Sequence, residues 1–255
     1  MQLQLSTWPE VESYLEKSTG IVIPIGSTEQ HGPTGLIGTD ALTAEVIARR
    51  LGEEAGVMVA PTIAVGMAQH HMAFAGSVTL RPSTLILVVR DIVMSLARHG
   101  FDRFFFVNGH GGNIAPVSTA FSEIHAELGE AAALTTAPGS NQMPAEVLCR
   151  LANWWEMPAV KKLSDQLYGD KRGTHATPDE VAVTWYAFPD QQRSAALGPV
   201  ARDSDPIQGA ADFRRRHPDG RRGADPSLAT PEDGRRFVEA AVKDLMREYR
   251  AFAGE

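Results

Sequence analysis

Two carboxylates and an imidazole follow a short apolar run near the start of the chain, in IVIPIGSTEQHGPTGLIGTD at 21–40. Glu29 and His31 are two residues apart, so their side chains leave the same side of an extended backbone. Asp40 directly precedes a helical pattern, ALTAEVIARRL. Zn²⁺ and Mn²⁺ favour this mixture of oxygen and nitrogen ligands, so the three side chains predict a metal site. Taken singly, Asp40 is also typical of a helix N-cap, and Glu29 and His31 of ordinary loops.

Further candidate ligands lie in two later segments. His110 belongs to NGHGGN, directly after the apolar run RFFFV, and His175 and Glu180 belong to HATPDE at the start of a predicted helix. Three carboxylates and three imidazoles suffice for two metal ions that share a bridging carboxylate and a water, whose pKa they lower to about 7. The sequence contains no G-x-S-x-G, H-E-x-x-H or complete P-loop motif, although the glycines of NGHGGN could cradle a phosphate.

Apolar runs alternate with helical spacing and predict a mostly parallel α/β sheet covered on both faces. The predicted strands are 21–25, 57–63, 78–80, 103–107 and 131–136. The predicted helices start near Thr7, Asp40, Pro82, Ile114, Ala145, Pro178 and Thr230. Residues 189–229, rich in Pro, Gly, Asp and Arg, predict long connections with little core. Sites in such sheets form at the carboxyl ends of strands, where Glu29, His31 and His110 stand.

Composition restricts the class of protein. With 255 residues and 43% hydrophobic content, the chain can bury a substantial core, and we predict a single domain. It shows no membrane-length apolar run and no signal-peptide pattern, so a cytoplasmic protein without a membrane partner is expected. A net charge of −7 argues against a nucleic-acid partner, and the arginines at 214–216, 221 and 222 predict a solvated loop. The single cysteine, Cys149, excludes an internal disulfide and predicts a small core residue in a helix.

Several motifs together resemble the creatininase (creatinine amidohydrolase) family: PIGSTEQHGPTGLIGTD at 24–40, HHMAFAGSVTL at 70–80, NGHGGN at 108–113, HATPDE at 175–180 and the later ADPSLATPEDG. The resemblance spans most of the chain. It implies a three-layer α/β/α fold with a mostly parallel sheet, and a metal-dependent hydrolase of cyclic amides and related C–N bonds. It also implies a small-molecule amide substrate and a homo-oligomer, often a hexamer.

The resemblance further implies two divalent metal ions per chain (Zn, Mn or Fe), held by Glu29, His31, Asp40, His110 and Glu180. Asp40 would be the bridge. Some members carry a glutamate where this chain has Gly112, and the H-A-x-x-x-E pattern makes Glu180 its replacement. The implied reaction is attack on an amide, formamide or cyclic-amide C–N bond by a hydroxide that both metals hold. The catalytic candidates are His175 and Glu180, with His175 expected to protonate the leaving nitrogen, a task suited to a pKa near neutrality.

The expected substrate-binding residues are His71, Asn108, Gly109, Gly111 and Trp154. Trp154 and Trp155 fit either stacking on a flat substrate or packing in the core or a subunit interface. His71 is equally interpretable as a pocket residue or as a neutral histidine bonded to backbone. The family usually reads HLPLGTD where this chain has TGLIGTD, and HATPDE replaces a commoner HAGE-type sequence. Because these loops border the predicted pocket, the differences argue against creatinine as the substrate.

Two other functions stay open. The changed loop at 34–39 is compatible with a non-catalytic ligand- or metal-binding member of the same fold. The same ligands also suit a two-metal phosphoesterase, although no Arg or Lys is expected beside the motifs to clamp a phosphate.

Overall fold

The structure is a computed structural model that describes residues 1–134, 146–201 and 205–254. Its strands are β1 (Gly20–Ile25), β2 (Met58–Val59), β3 (Arg103–Asn108) and β4 (Leu148–Asn153). They form a parallel sheet in the order β2, β1, β3, β4. The apolar sequences of β1 and β3 pair along their full length, so the predicted parallel sheet is confirmed.

The described residues also form eight α-helices. They are α1 (Trp8–Leu15), α2 (Thr39–Ala55), α3 (Pro82–Ala97), α4 (Ile114–Leu134), α5 (Pro158–Tyr168), α6 (Pro178–Ala187), α7 (Ala210–Arg216) and α8 (Pro231–Ala253). Local sequence explains several of their starts. Thr7 and Glu10 form a capping box on α1, and the Thr230 hydroxyl accepts from the Asp233 N–H at the start of α8. None of these helices is long and apolar enough to cross a membrane.

A separate hydrophobic core packs against each face of the sheet. Val22 and Phe105 point to the face covered by α2, α5, α6 and α8, and Ile23 and Phe106 point to the face covered by α3 and α4. All of β1 is buried, as expected for a strand covered on both sides. This arrangement confirms the three-layer α/β/α fold.

Two predicted elements around residue 145 are wrong. The predicted strand at 131–136 is helical as far as Leu134, because α4 runs on through AAAL; residues 135 and 136 lie outside the described part of the chain. The predicted helix at 145–155 contains β4 instead, and residue 145 is likewise outside the described part. Cys149 is therefore a partly buried strand residue, packed against the α3/α4 core.

Two strand predictions were too long. Only Met58–Val59 of the stretch at 57–63 pairs as a strand, and the stretch at 78–80 forms one antiparallel bridge between Val78 and Thr28. Beyond Val59 the contact with β1 continues as separate hydrogen bonds, such as those from the Ala60 N–H to the Val22 carbonyl at 2.8 Å and from the Ile63 N–H to the Pro24 carbonyl at 2.9 Å.

The stretch at 189–229 contributes more core than predicted. It contains α7, and Phe213, His217 and Arg221 are each at most 2% exposed. The Arg221 guanidinium donates from Nε to Asp219 at 2.8 Å and from Nη2 to the Gly198 carbonyl at 2.6 Å. Arg221 is thus a buried structural cation rather than part of a solvated loop.

Candidate metal centre and active site

The candidate ligands reach one place because their strands end side by side. Ile25, the last residue of β1, lies opposite Asn108, the last residue of β3. The loop after β1 carries Glu29 and His31, and the loop after β3 carries His110. Since parallel strands present their carboxyl ends at one edge, the two loops meet there.

Asp40 enters from the start of α2. Gly38 is the N-cap of this helix, so Asp40 lies inside the first turn and its carboxylate faces two imidazoles instead of capping. Its Oδ1 is 3.0 Å from His31 Nε2, and its Oδ2 is 3.0 Å from His110 Nδ1. Each carboxylate oxygen therefore serves a different imidazole, the arrangement expected of a bridging carboxylate.

Backbone carbonyls orient both imidazoles. His31 Nδ1 donates to the Glu29 carbonyl at 3.1 Å, and His110 Nε2 donates to the Met67 carbonyl at 2.9 Å. In each ring the other nitrogen is then the one that faces Asp40. A second nitrogen fixed by a backbone carbonyl is the usual environment of a metal-ligating histidine.

The Glu29 side chain is completely buried, and its carboxylate lies close to the imidazoles of three histidines. Its Oε2 accepts from the Ser27 hydroxyl at 2.9 Å and is 3.3 Å from His110 Nε2. Its Oε1 is 3.1 Å from His71 Nε2 and 3.8 Å from His175 Nδ1. Burial raises the pKa of Glu29, although the nearby imidazoles act in the opposite direction.

Glu180 approaches from the other side, in the first turn of α6. Its Oε1 accepts from the Thr177 N–H at 2.6 Å in a capping box and is 3.8 Å from His31 Nε2. Burial raises the pKa of Glu180 to about 7. Two local features therefore fix the position of this carboxylate: Glu180 lies in the first turn of α6, and its side chain takes part in the capping box.

Three overlapping groups of side chains in the described residues have ligand atoms close enough to hold a metal ion: Glu29 with Asp40 and His110; His31 with Asp40 and Glu180; and Glu29 with His31 and His175. The first two share only Asp40. Although burial alone would raise it, His31 and His110 hold the pKa of Asp40 well below its usual value. Burial opposes protonation of these two rings, but the carboxylates raise the pKa of His31 to about 10 and that of His110 to about 9. The cluster therefore attracts positive charge.

Gln30, which the sequence analysis did not single out, orders two further histidines. Its amide N–H₂ lies 2.9 Å from His71 Nδ1 and 2.9 Å from the Gly220 carbonyl. His175 Nε2 lies 2.8 Å from the Gln30 backbone carbonyl, which can only accept, so this nitrogen carries the hydrogen and donates it there. The Gln30 amide nitrogen, also 2.8 Å from His175 Nε2, therefore uses its two hydrogens for His71 and Gly220. His175 consequently presents Nδ1 toward Glu29. Burial and the imidazoles of His71 and His31 lower the pKa of His175 well below its usual value, so the near-neutral value expected from the sequence is not retained.

A cavity of about 230 Å³ opens beside these groups. Its lining includes Asp40, His110, Glu180, His175, Arg172 and Trp155. Trp154, by contrast, is 1% exposed and packs in the core. Of the two tryptophans, Trp155 is therefore the one that lines the cavity. His71 stands behind His175, with ring centres 4.2 Å apart, and it contacts Glu29 from there.

Asn108 holds the NGHGGN loop in shape. Its Nδ2 donates to the His110 carbonyl and to Asn153 Oδ1, both at 2.8 Å, and its Oδ1 accepts from the His110 N–H at 3.0 Å. The side chain proposed for substrate binding is therefore occupied in positioning His110. Gly109 and Gly111 do line the cavity.

Gly109 permits the close approach of α2, which gives a first prediction. A Cβ at this position would fall far inside contact distance of the Asp40 carbonyl oxygen, whereas a Cβ at Gly111 would meet open space. Gly109→Ala should lower the free energy of unfolding by about 1–3 kcal/mol through overpacking. Gly111→Ala is the matched control and should leave it nearly unchanged. Denaturant unfolding of both variants measures the difference, and equal stabilities would contradict this account.

Two other residues near the site were missed by the sequence analysis. Phe213 of α7 packs its ring against His71 and His175, at centroid distances of 4.7 and 6.1 Å. Arg172 lines the cavity, contrary to the expectation that no basic residue stands beside the motifs. Arg172 precedes His175 by only three residues, so the signal was present in the spacing.

The fold and the site define an α/β protein with side chains that could bind metal ions at the carboxyl edge of a parallel sheet. The family model described as "Creatininase: Creatinine amidohydrolase" matches residues 4–249. The chain belongs to the creatininase family, as the motifs predicted.

Relatives and solved structures agree with this assignment. The chain is 34% identical over 131 residues to the mycofactocin precursor peptide peptidase of Mycobacterium ulcerans, covering 48% of each chain. It is 32% identical over 113 residues to creatinine amidohydrolase of Pseudomonas putida, covering 42% of this chain and 44% of that one. The matches thus span about half the length of these relatives. In fold it resembles a manganese form of creatininase, with a TM-score of 0.85 and 22% identity over 100% of this chain and 99% of the other.

Proposed function

We propose that this chain is a metal-dependent amidohydrolase that cleaves a C–N bond of a small amide, formamide or cyclic amide with two divalent metal ions. Asp40 carries the proposal, because its two oxygens each lie 3.0 Å from an imidazole of a different ligand group. Glu29 and His110 would complete one metal site with Asp40, and His31 and Glu180 the other.

The donor set fits divalent ions. Carboxylate oxygens and singly protonated imidazoles are ligands of Zn²⁺ and Mn²⁺, and creatininase structures of both a Zn–Zn type and a manganese form resemble this fold. Within the described residues, Glu29 Oε1 and Asp40 Oδ2 are buried and accept no hydrogen bond of good geometry, although they lie 3.1 Å from His71 Nε2 and 3.0 Å from His110 Nδ1. Buried carboxylate oxygens are costly unless paired or metal-bound, so these two oxygens favour a bound cation in addition to the nearby imidazoles.

Glu180 is favoured as the fifth ligand over a residue at position 112. A Cβ at Gly112 would collide with the Met67 carbonyl and with His110 Nε2, so the local backbone has no room for the glutamate that some relatives carry there. Glu180 supplies a carboxylate beside His31 without that collision.

The chain's own groups would divide the work. Metal ions bound here would lower the pKa of a water to about 7 and polarise a carbonyl. His175 lines the cavity with an unprotonated Nδ1 directed toward Glu29. We assign it the proton transfer: Nδ1 would take up the proton released by the attacking water and deliver it to the leaving nitrogen. Trp155 lines the cavity, and we assign it to packing against the substrate.

Metal content tests the proposal first. Protein purified without chelators or a histidine tag should contain about two equivalents of Zn, Mn or Fe by elemental analysis. Removal of the ions should lower the midpoint of thermal unfolding, because a ligand at a hundred times its Kd stabilises the fold by about 2.7 kcal/mol. A chelator already saturated with Zn²⁺ is the control. Near-zero metal and no uptake would favour the non-catalytic binding protein.

A substrate screen tests the reaction. It should contain simple amides, formamides, cyclic amides including creatinine, and short peptides, since the relatives' names cover both creatinine and a peptide. A generic phosphodiester tests the phosphoesterase alternative. Metal-loaded protein that hydrolyses the phosphodiester but no amide would overturn the proposal. The homo-oligomer, expected as a hexamer, and the cytoplasmic location stay predictions.

A further inference from the structure

Among the described residues that line the cavity, Arg172 alone carries a fixed positive charge. The rest of the lining supplies carboxylates, imidazoles, glycines, threonines and an indole. Arg172 therefore gives one wall of the cavity a charge that neither metal binding nor the proton transfer uses.

The Nε edge of the Arg172 guanidinium is held by a buried carboxylate. Its Nε donates to Asp179 Oδ2 at 2.8 Å, and Asp179 is 1% exposed. Ser164 donates to the same carboxylate oxygen at 3.2 Å, and the Glu180 N–H donates to Asp179 Oδ1 at 3.2 Å. The anchor is thus rigid and is joined directly to the residue proposed as a metal ligand.

The other edge of the guanidinium is available. In the described part of the chain, its two terminal nitrogens have no hydrogen-bond acceptor, and the side chain is 27% exposed. A guanidinium presents parallel N–H groups that match the two oxygens of a carboxylate. An uncharged amide offers a single oxygen and no negative charge, so it would not match this paired geometry.

We propose that Arg172 binds a carboxylate of the substrate, so that the amide cleaved by this enzyme carries an acidic group close to the scissile bond. The inference rests on the proposed function and narrows it to acyl derivatives of amino acids and similar acidic amides. Arg172 acts as a specificity residue and takes no part in bond cleavage.

A pair of substrates that differ in one charge tests the inference. N-formylglycine carries the carboxylate and N-formylglycinamide replaces it with a carboxamide; formate release follows the same bond in both. Metal-loaded enzyme should prefer the acid by about ten- to a hundredfold in kcat/KM, mainly through KM, as expected for a charge-assisted pair. Arg172→Gln should bring the ratio of the two kcat/KM values close to one.

Lys171→Gln is the matched control. It removes a neighbouring positive charge from an exposed side chain that does not line the cavity, so the preference for the acid should persist. Because Arg172→Gln leaves the buried Asp179 without its cation, the double variant Arg172→Gln/Asp179→Asn removes both charges together. Thermal unfolding and metal content establish that each variant is folded and loaded.

The outcomes separate this inference from the proposed function. Equal kcat/KM values for the two compounds in the unmodified enzyme, or a preference that survives both Arg172 variants, would overturn the inference while leaving amide hydrolysis intact. If loaded enzyme hydrolyses neither compound, calorimetry decides: tighter binding of N-formylglycine than of the amide, lost in Arg172→Gln, supports the carboxylate subsite. Equal binding of both compounds overturns it.

Discussion

Asp40→Ala should release both metal ions and reduce amide hydrolysis by at least about a thousandfold. The two oxygens of Asp40 face His31 and His110 separately, so removal of one side chain damages both proposed sites. A metal that polarises a carbonyl and activates water supplies several kcal/mol of transition-state stabilisation, and about 4 kcal/mol corresponds to a thousandfold in rate. Elemental analysis and steady-state kinetics on the same preparation measure the two losses.

Single-site variants sharpen this experiment. Of the two groups that share Asp40, Glu29→Gln changes the one with His110 and Glu180→Gln the one with His31, so each variant should lose about one metal equivalent and retain the other. Asp40→Asn keeps the shape of the side chain and separates loss of charge from loss of packing. Asp91→Ala on the exposed face of α3 is the control for loss of an aspartate. Full metal content and full activity in Asp40→Ala would refute the dinuclear site.

The clustering of the candidate ligands was predictable because the signals were local. In the segment after β1, an apolar run ends and ligand-type side chains follow within a few residues, and the same happens at His110 after β3. The rule that parallel strands end at one edge then places the two segments together without any knowledge of the loops between them. The role of Asp40 could not be decided from the sequence, because an aspartate at the start of a helix has the same local pattern whether it caps the helix or binds a metal ion.

β4 was missed for a physical reason. LCRLAN has apolar residues at spacings that suit either a helix or a strand, and as the edge strand it is only partly buried. Its hydrogen bonds to β3, from Leu148 opposite Arg103 to Asn153 opposite Asn108, decide the conformation. Such pairing depends on contacts distant in sequence, which local propensity does not contain.

The positioning contacts around the histidines depend on distant residues as well. Phe213 reaches His71 from α7, in a stretch that reads as polar connection, and Gln30 reaches the Gly220 carbonyl 190 positions away. Neither residue type by itself indicates a catalytic site. Sequence patterns therefore indicated groups suited to bind metal, whereas the contacts that orient these groups and favour one tautomer became visible only with the fold.

His175→Ala should keep its metal and lose about a hundred- to ten-thousandfold in kcat, the range of a positioned general acid or base. His175 Nε2 is committed to the Gln30 carbonyl, and its Nδ1 lies 3.8 Å from Glu29 Oε1. That separation is too long for a hydrogen bond, so the nitrogen is available to a reacting group in the cavity. Stacking on His71 fixes the ring plane.

The leaving group provides the decisive comparison for this variant. If His175 protonates the departing nitrogen, its loss should matter greatly for formanilide and much less for 4-nitroformanilide, whose amine leaves with less need of a proton. His125→Ala, on the exposed face of α4, is the control and should change neither rate. Equal losses for the two anilides, or release of metal from His175→Ala, would instead make His175 a residue that positions Glu29 and His31.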